Sequence, residues 1–211
     1  TKIIANISGN TLDEYVEMGR IIDGADVDMV ELNISCPNVK AGGMAFGTSC
    51  DTVESLVYAV REVCRRPLIV KLSPNVTDIA AIARAAQSGG ADALSLINTV
   101  LGMRIDVNTH RPILKNNMGG MSGRAVLPIA IRMVHQVACA VSLPIIGMGG
   151  VASGNDAIEL MLAGASAVAI GTACFTDPFA PLNVVSGIED YLTRHKLSSV
   201  RELVHAVELH D

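Results

Sequence analysis

The sequence predicts an α/β protein of the (β/α)8 TIM-barrel class, with about six of the eight β-α units present in the chain. Three observations carry this reading. Short, flat, β-branched runs alternate with helical patterns six times over, as in a parallel sheet buried on both faces. Polar or glycine residues stand at the carboxyl end of every run: Asn6, Asn33, Lys71 to Ser73, Asn98 and Thr99, Gly149 and Gly150, Gly171 and Thr172. A doubly wound sheet would gather such residues at one switch point, whereas a barrel draws them from many strand ends onto one face. Finally, no linker, low-complexity segment or internal repeat interrupts the 211 residues, so residues 1–211 read as one domain.

The strand runs are Lys2 to Ile7, Met29 to Ile34, Leu68 to Leu72, Ala93 to Ile97, Pro144 to Gly147 and Ala167 to Gly171. Between them, Thr11 to Ile22 places Leu12, Tyr15, Val16 and Gly19 on one helical face. Asp51 is suited to cap a helix from Thr52 to Cys64, with Glu54 completing a capping box. Thr77 or Asp78 opens the next helix, which Gly89 and Gly90 end. Arg124 to Val141 is helical provided that Pro128 lies in the first turn. Asn155 is expected to cap Asp156 to Leu162, and Gly164 to stop it. Two tail helices follow, Val184 to Arg194 and Val200 to Leu209, the second capped by Ser199 and Glu202.

Composition excludes several classes. Net charge is −5 with no basic block, and aromatics are 3%, which offers neither an electrostatic footprint nor a stacking surface for nucleic acid. No apolar run reaches the roughly 18 residues of a membrane span. Five scattered cysteines without a Cys-x-x-Cys pair fit a reducing cytoplasm, and Cys64, Cys139 and Cys174 read as small buried hydrophobes. The five histidines show no His-x-x-His or His-Glu-x-x-His spacing, so no metal site is expected.

Two clusters carry chemistry. At one end, Gly147-Met148-Gly149-Gly150 and Ile170-Gly171-Thr172 form turns in consecutive final units. Glycine lets backbone approach an anion, and helix amino termini favour negative charge, so these loops point to a phosphate. Gly119-Gly120-Met121-Ser122-Gly123 reads as a flexible loop beside it. At the other end, Asn33-Ile34-Ser35-Cys36-Pro37-Asn38 leaves a strand as a polar lip carrying a thiol able to move a proton. Lys71 interrupts an apolar strand, which is costly unless its ammonium reaches a polar site. It fits a structural ion pair, a Schiff-base lysine or a cation beside an electron-rich cofactor.

Taken in order, Asn33 to Asn38, Lys71-Leu72-Ser73-Pro74, Ile97-Asn98-Thr99, Gly147 to Gly150 and Ile170 to Thr172 resemble dihydroorotate dehydrogenase, the FMN-dependent enzyme of pyrimidine biosynthesis. The loops Gly42 to Gly47 and Val100 to Asp106 are most similar to its NAD-dependent branch. The resemblance implies that Cys36 is the base taking the C5 proton of dihydroorotate, with a hydride passing from C6 to the flavin. It implies Asn33, Asn98 and Thr99 around the substrate. Asn6, Asn33, Lys71 and Ile97 would line the isoalloxazine, and Gly123, Gly149, Gly150, Gly171 and Thr172 the ribityl phosphate. A partner carrying FAD and a 2Fe–2S cluster is implied, with a homodimer inside a heterotetramer. The family's first two strands have no counterpart here, so the barrel is expected to be truncated at its amino end. Rival readings are a flavin barrel like that of dihydropyrimidine dehydrogenase, an aldolase using Lys71, and an inactive interaction module.

Overall fold

The computed structural model describes residues 1–35 and 46–210. Four strands come first: β1 (Ile4–Ile7), β2 (Met29–Asn33), β3 (Leu68–Lys71) and β4 (Ala93–Leu96). An excursion of four short strands follows: β5 (Val100–Gly102), β6 (Ile105–Asp106), β7 (Arg111–Pro112) and β8 (Gly119–Met121). The chain then returns to the main sheet through β9 (Ile145–Met148) and β10 (Ala167–Ala169). The main sheet is all parallel, in the order β1-β2-β3-β4-β9-β10. Each strand lies beside the next in sequence and the order never reverses. This is the wall of a (β/α)8 barrel and not a doubly wound sheet.

Strand register explains how the polar residues reach the interior. Side chains alternate between faces with a period of two, and residues paired across parallel strands share a face. Asn6 pairs with Glu31, Asn33 with Lys71, and Lys71 with Ser95. These five positions therefore share one pleat face, the barrel interior. The alternate positions Val30, Leu32, Leu68, Val70, Leu94 and Leu96 are fully buried in the layer between sheet and helices.

Among the described residues six helices follow the strands: α1 (Leu12–Asp23), α2 (Cys50–Arg61), α3 (Ile79–Ser88), α4 (Leu127–Ala138), α5 (Gly154–Ala163) and α6 (Ala180–His195). Thr11 caps α1 by accepting from the Glu14 N–H, and Asp78 caps α3 through Ala81. Two expected caps are displaced. The α2 cap position is Ser49, which puts Asp51 in the first turn, where a carboxylate complements the helix dipole. Ser153, not Asn155, caps α5 by accepting from the Asp156 N–H. Arg124–Val126 is a 3-10 turn that feeds α4, with Pro128 at the helix start as expected.

The last expected helix is only a 3-10 turn, Val200–Leu203, although its Ser199–Glu202 capping box is present. Leu203 is the one residue of that turn that is buried, too little apolar surface to continue the helix. The chain instead runs along α5, with the His205 and Val207 N–H groups donating to the Met161 and Leu162 carbonyls. Gly119 to Met121, expected as a flexible loop, forms β8 and pairs antiparallel with β5.

Leu94 is central to the wall and has no solvent exposure. Leu94→Ala is expected to lower unfolding free energy by about 2–5 kcal/mol in urea titrations, through lost burial and a residual cavity. A loss under about 1 kcal/mol would contradict the position assigned to it.

Candidate functional site

A cavity of about 800 Å³ opens at the carboxyl ends of the strands. Its lining includes Lys71, Ile97, Asn98, Thr99, Gly123, Gly149, Gly150, Gly171 and Thr172, nine of the residues expected from the sequence. Asn6 and Asn33 stand behind this lining, joined to it by hydrogen bonds. Cys36 lies outside the described residues.

The floor of the cavity is organised around Glu31, which the sequence reading passed over as part of an apolar run. Its carboxylate is buried, 8% exposed, and it lines the cavity. The Ser95 hydroxyl donates to Glu31 Oε1 at 2.6 Å, and the Asn6 amide donates to Oε2. Lys71 Nζ stands 3.6 Å from the same Oε2. Lys71 is thus ion-paired, as one of its three sequence readings has it, and at the same time lines the cavity. The signal was available: a carboxylate two positions before Asn33 in a buried strand must share its interior face.

A second cluster joins β2 to β4. Asn33 Oδ1 accepts from the Ser35 hydroxyl at 2.7 Å and from the Asn98 amide at 3.2 Å. The Asn98 amide also donates to the Ser35 hydroxyl, and Asn98 Oδ1 accepts from the Thr99 N–H at 2.8 Å. Behind them, the buried Tyr15 hydroxyl donates to the Asn33 carbonyl at 2.7 Å. Asn75, also unforeseen, ties the loop after β3 to the excursion: its amide donates to the Thr99 carbonyl and its Oδ1 accepts from the Leu101 N–H. The strand-end amides are therefore fixed by their neighbours before any ligand arrives.

The opposite side of the cavity is made of backbone. Gly150 has φ +85°, and a Cβ there would stand 2.8 Å from the Leu127 Cβ and 3.0 Å from the Gly123 carbonyl oxygen. Glycine is required at that position for the loop after β9 to meet the start of α4. Gly171 differs, since no atom lies within 4 Å of where its Cβ would stand. Packing does not demand a glycine there, and the space it leaves belongs to the cavity wall. The Thr172 hydroxyl donates to the Ser122 hydroxyl at 3.2 Å, which joins this loop to the one after β8. Arg124, another cavity residue not singled out in the sequence, lies 4.0 Å from Asp156 and keeps an exposed guanidinium at the rim.

The cysteines divide differently from expectation. Cys64 is buried, and burial pushes its thiol up from the ordinary range, but Cys139 is exposed and Cys174 is half-buried. The expectation of no metal site rested on the lack of a His-x-x-His or His-Glu-x-x-His spacing; the fold brings His135, Cys139 and His205 within reach of one another.

Six parallel strands in barrel order, with a cavity at their carboxyl ends, place the protein in the TIM-barrel class of α/β folds. The comparisons refine this. The family model for dihydroorotate dehydrogenase matches residues 1–192, and the chain belongs to that family. Over 204 residues it is 57% identical to the catalytic subunit of dihydroorotate dehydrogenase B (NAD(+)) from Alkaliphilus oremlandii, covering 97% of this chain and 68% of the relative. The corresponding subunit from Bacteroides fragilis is 56% identical, covering 99% and 69%, and that from Brachyspira hyodysenteriae 54%, covering 99% and 70%. The fold matches the crystal structure of DHODH from Eimeria tenella in complex with ferulenol, with TM-score 0.76 and 23% identity over 92% of this chain and 57% of that one. The expected placement in the NAD-dependent branch is borne out, and the chain is of the oxidoreductase class.

Ser95→Ala removes a buried hydrogen bond to an ionised acceptor and is expected to cost about 1.5–3 kcal/mol of unfolding free energy. Denaturant curves indistinguishable from those of the parent would mean that Glu31 does not depend on Ser95.

Proposed function

We propose that the chain oxidises dihydroorotate to orotate with FMN bound in the cavity at the barrel mouth. The observation that carries this reading is the two-ended chemistry of that cavity, a glycine-loop wall facing an amide–lysine floor. The residues present fit FMN. Gly171 leaves room that packing does not require, and Gly123, Gly149, Gly150 and Thr172 bring backbone and a hydroxyl to the same wall. When bound, FMN supplies the acceptor for the two electrons that leave the substrate.

The chain's own residues hold, orient and deprotonate. The glycine loops bind the phosphate, assisted by the positive field at the start of α4. Lys71, held by Glu31, would offer its ammonium to the flavin, and Ile97 would supply an apolar contact. Asn6 acts through Glu31, to which its amide is bonded. Asn33, Asn98 and Thr99 bind the pyrimidine and its carboxylate. Asn33 keeps an amide nitrogen with no acceptor among the described residues, which leaves it free to donate to a substrate carbonyl. Cys36, four positions along from Leu32, takes the C5 proton.

The electrons pass on to NAD through a partner subunit bearing FAD and a 2Fe–2S cluster, within a heterotetramer built on a homodimer of this chain. The wording "catalytic subunit" in the relatives' names supports a partner of this kind. No described helix is long and apolar enough to cross a membrane, and the expected setting is the cytoplasm.

Anaerobic addition of dihydroorotate to the purified flavoprotein is expected to bleach its visible band. Cys36→Ala should retain FMN but slow the bleaching by about 10²–10⁴-fold, the contribution of a positioned base. Unchanged kinetics in that variant would remove Cys36 from the chemistry, and a band that dihydroorotate leaves untouched would remove the substrate assignment. Gly171→Val should weaken FMN binding at least about tenfold, or about 1.4 kcal/mol, with little change in melting temperature. Equal loss of binding and of fold stability would mean that Gly171 serves packing after all.

A further inference from the structure

We propose that His135, Cys139 and His205 form a binding site for one zinc-class divalent ion, at the end of the barrel opposite the cavity. His135 lies in the last turn of α4, and Cys139 is four residues on, at the residue that ends the helix. That spacing puts both side chains on one helix face. His205 arrives from the segment after the final 3-10 turn, 66 residues away in sequence, and its backbone N–H is fixed to the Met161 carbonyl at 3.0 Å. Because helices in this fold run back from the cavity end, the carboxyl end of α4 lies at the amino ends of the strands, remote from the flavin cavity.

The distances are those of a coordination shell. Cys139 Sγ lies 3.7 Å from His135 Nε2 and 3.6 Å from His205 Nε2, and the ligand atoms all lie within 4.8 Å of one another. A tetrahedral ion with bonds of about 2.3 Å to sulfur and about 2.0–2.1 Å to nitrogen separates those two ligands by about 3.6 Å. The two rings meet edge to face at 5.7 Å between centroids, with the Nε2 of each near the Cys139 sulfur. His135 Nδ1 is moreover buried and has no hydrogen-bond partner. That nitrogen is not the one facing the sulfur: in the bound state it would carry the ring proton, and Nε2, which faces Cys139 Sγ, would be the ligand.

The chemistry selects the ion. One thiolate and two imidazoles suit zinc and its borderline-soft neighbours and not calcium or magnesium, which require oxygen ligands. No acidic side chain belongs to the cluster among the described residues. On coordination the thiol gives its proton to solvent, and the hydrated ion exchanges all but one of its water ligands for one Zn–S and two Zn–N bonds. Cys139 and His205 are exposed, so the ion can enter and its fourth position is left to water. The ion would clamp the end of α4 to the segment that runs along α5.

Cobalt(II) reports the site directly, because a thiolate ligand adds an intense charge-transfer band. Titration of the purified protein is expected to saturate that band at one equivalent. Zinc at micromolar excess should raise the melting temperature. Cys139→Ser and His205→Ala each should abolish the band and weaken zinc binding at least about tenfold, while Cys50→Ser, with its exposed thiol elsewhere, should behave like the parent. Absence of the band, or a band and zinc shift equally strong in Cys139→Ser and His205→Ala, would overturn the assignment. Both substituted positions are exposed, so loss of fold is not expected, and far-UV circular dichroism would verify it.

Discussion

A carboxylate and an ammonium inside a barrel of aliphatic strands are the constraint around which the mouth of this protein is built. Glu31 is almost wholly and Lys71 largely removed from water, and each would be costly there alone. Glu31 answers this with three partners from three strands: Asn6 on β1, Lys71 on β3 and Ser95 on β4. The pair therefore fixes strand register as well as charge. A slip of one residue in any of these strands would turn its polar member into the aliphatic layer beneath the helices. Buried ion pairs are a weak source of stability. This one lies at the floor of the cavity, where Glu31 holds the Lys71 ammonium at the cavity surface.

The remainder of the fold serves two surfaces of that space. On the inner side, the amides of Asn33 and Asn98 are locked to each other and to Ser35, so the donors that face a planar polar ligand need little reordering when it binds. On the outer side, Gly150 and Gly123 bring the loop after β9 and the start of α4 into contact, while Thr172 ties the loop after β10 to Ser122. Those backbone segments come from the last two β-α units, where barrels commonly gather a phosphate site. One end of the cavity is walled by backbone and glycine, the other by polar side chains, the division on which the proposed FMN site rests.

Much of this was legible in the sequence, because the signals are local. Glycines after the last strands, polar residues ending apolar runs and Lys71 inside one all report directly on strand-end geometry. Glu31 escaped because its neighbours Val30 and Leu32 point to the opposite face, and only pairing with β1 and β3 shows which partners it meets. Strands β5 to β8 are two or three residues long, too short for any periodicity to register. The final helix failed because a good cap cannot hold a helix without an apolar face to bury. The His135–Cys139 pair was visible as an i, i+4 spacing, but its third member is brought in by the tertiary path of the chain after α6.

The central claim is that the cavity is two-ended, with the phosphate and the ring held by separate groups. Fluorescence titration of the apoprotein with FMN and with riboflavin, in the parent and in Lys71→Met, tests it most directly. The parent is expected to prefer FMN by about 10- to 100-fold, the worth of charge-assisted bonds to phosphate. Lys71→Met should weaken both ligands by a similar factor, because both carry the ring. Riboflavin binding as tightly as FMN, or a Lys71→Met loss confined to FMN, would contradict the account.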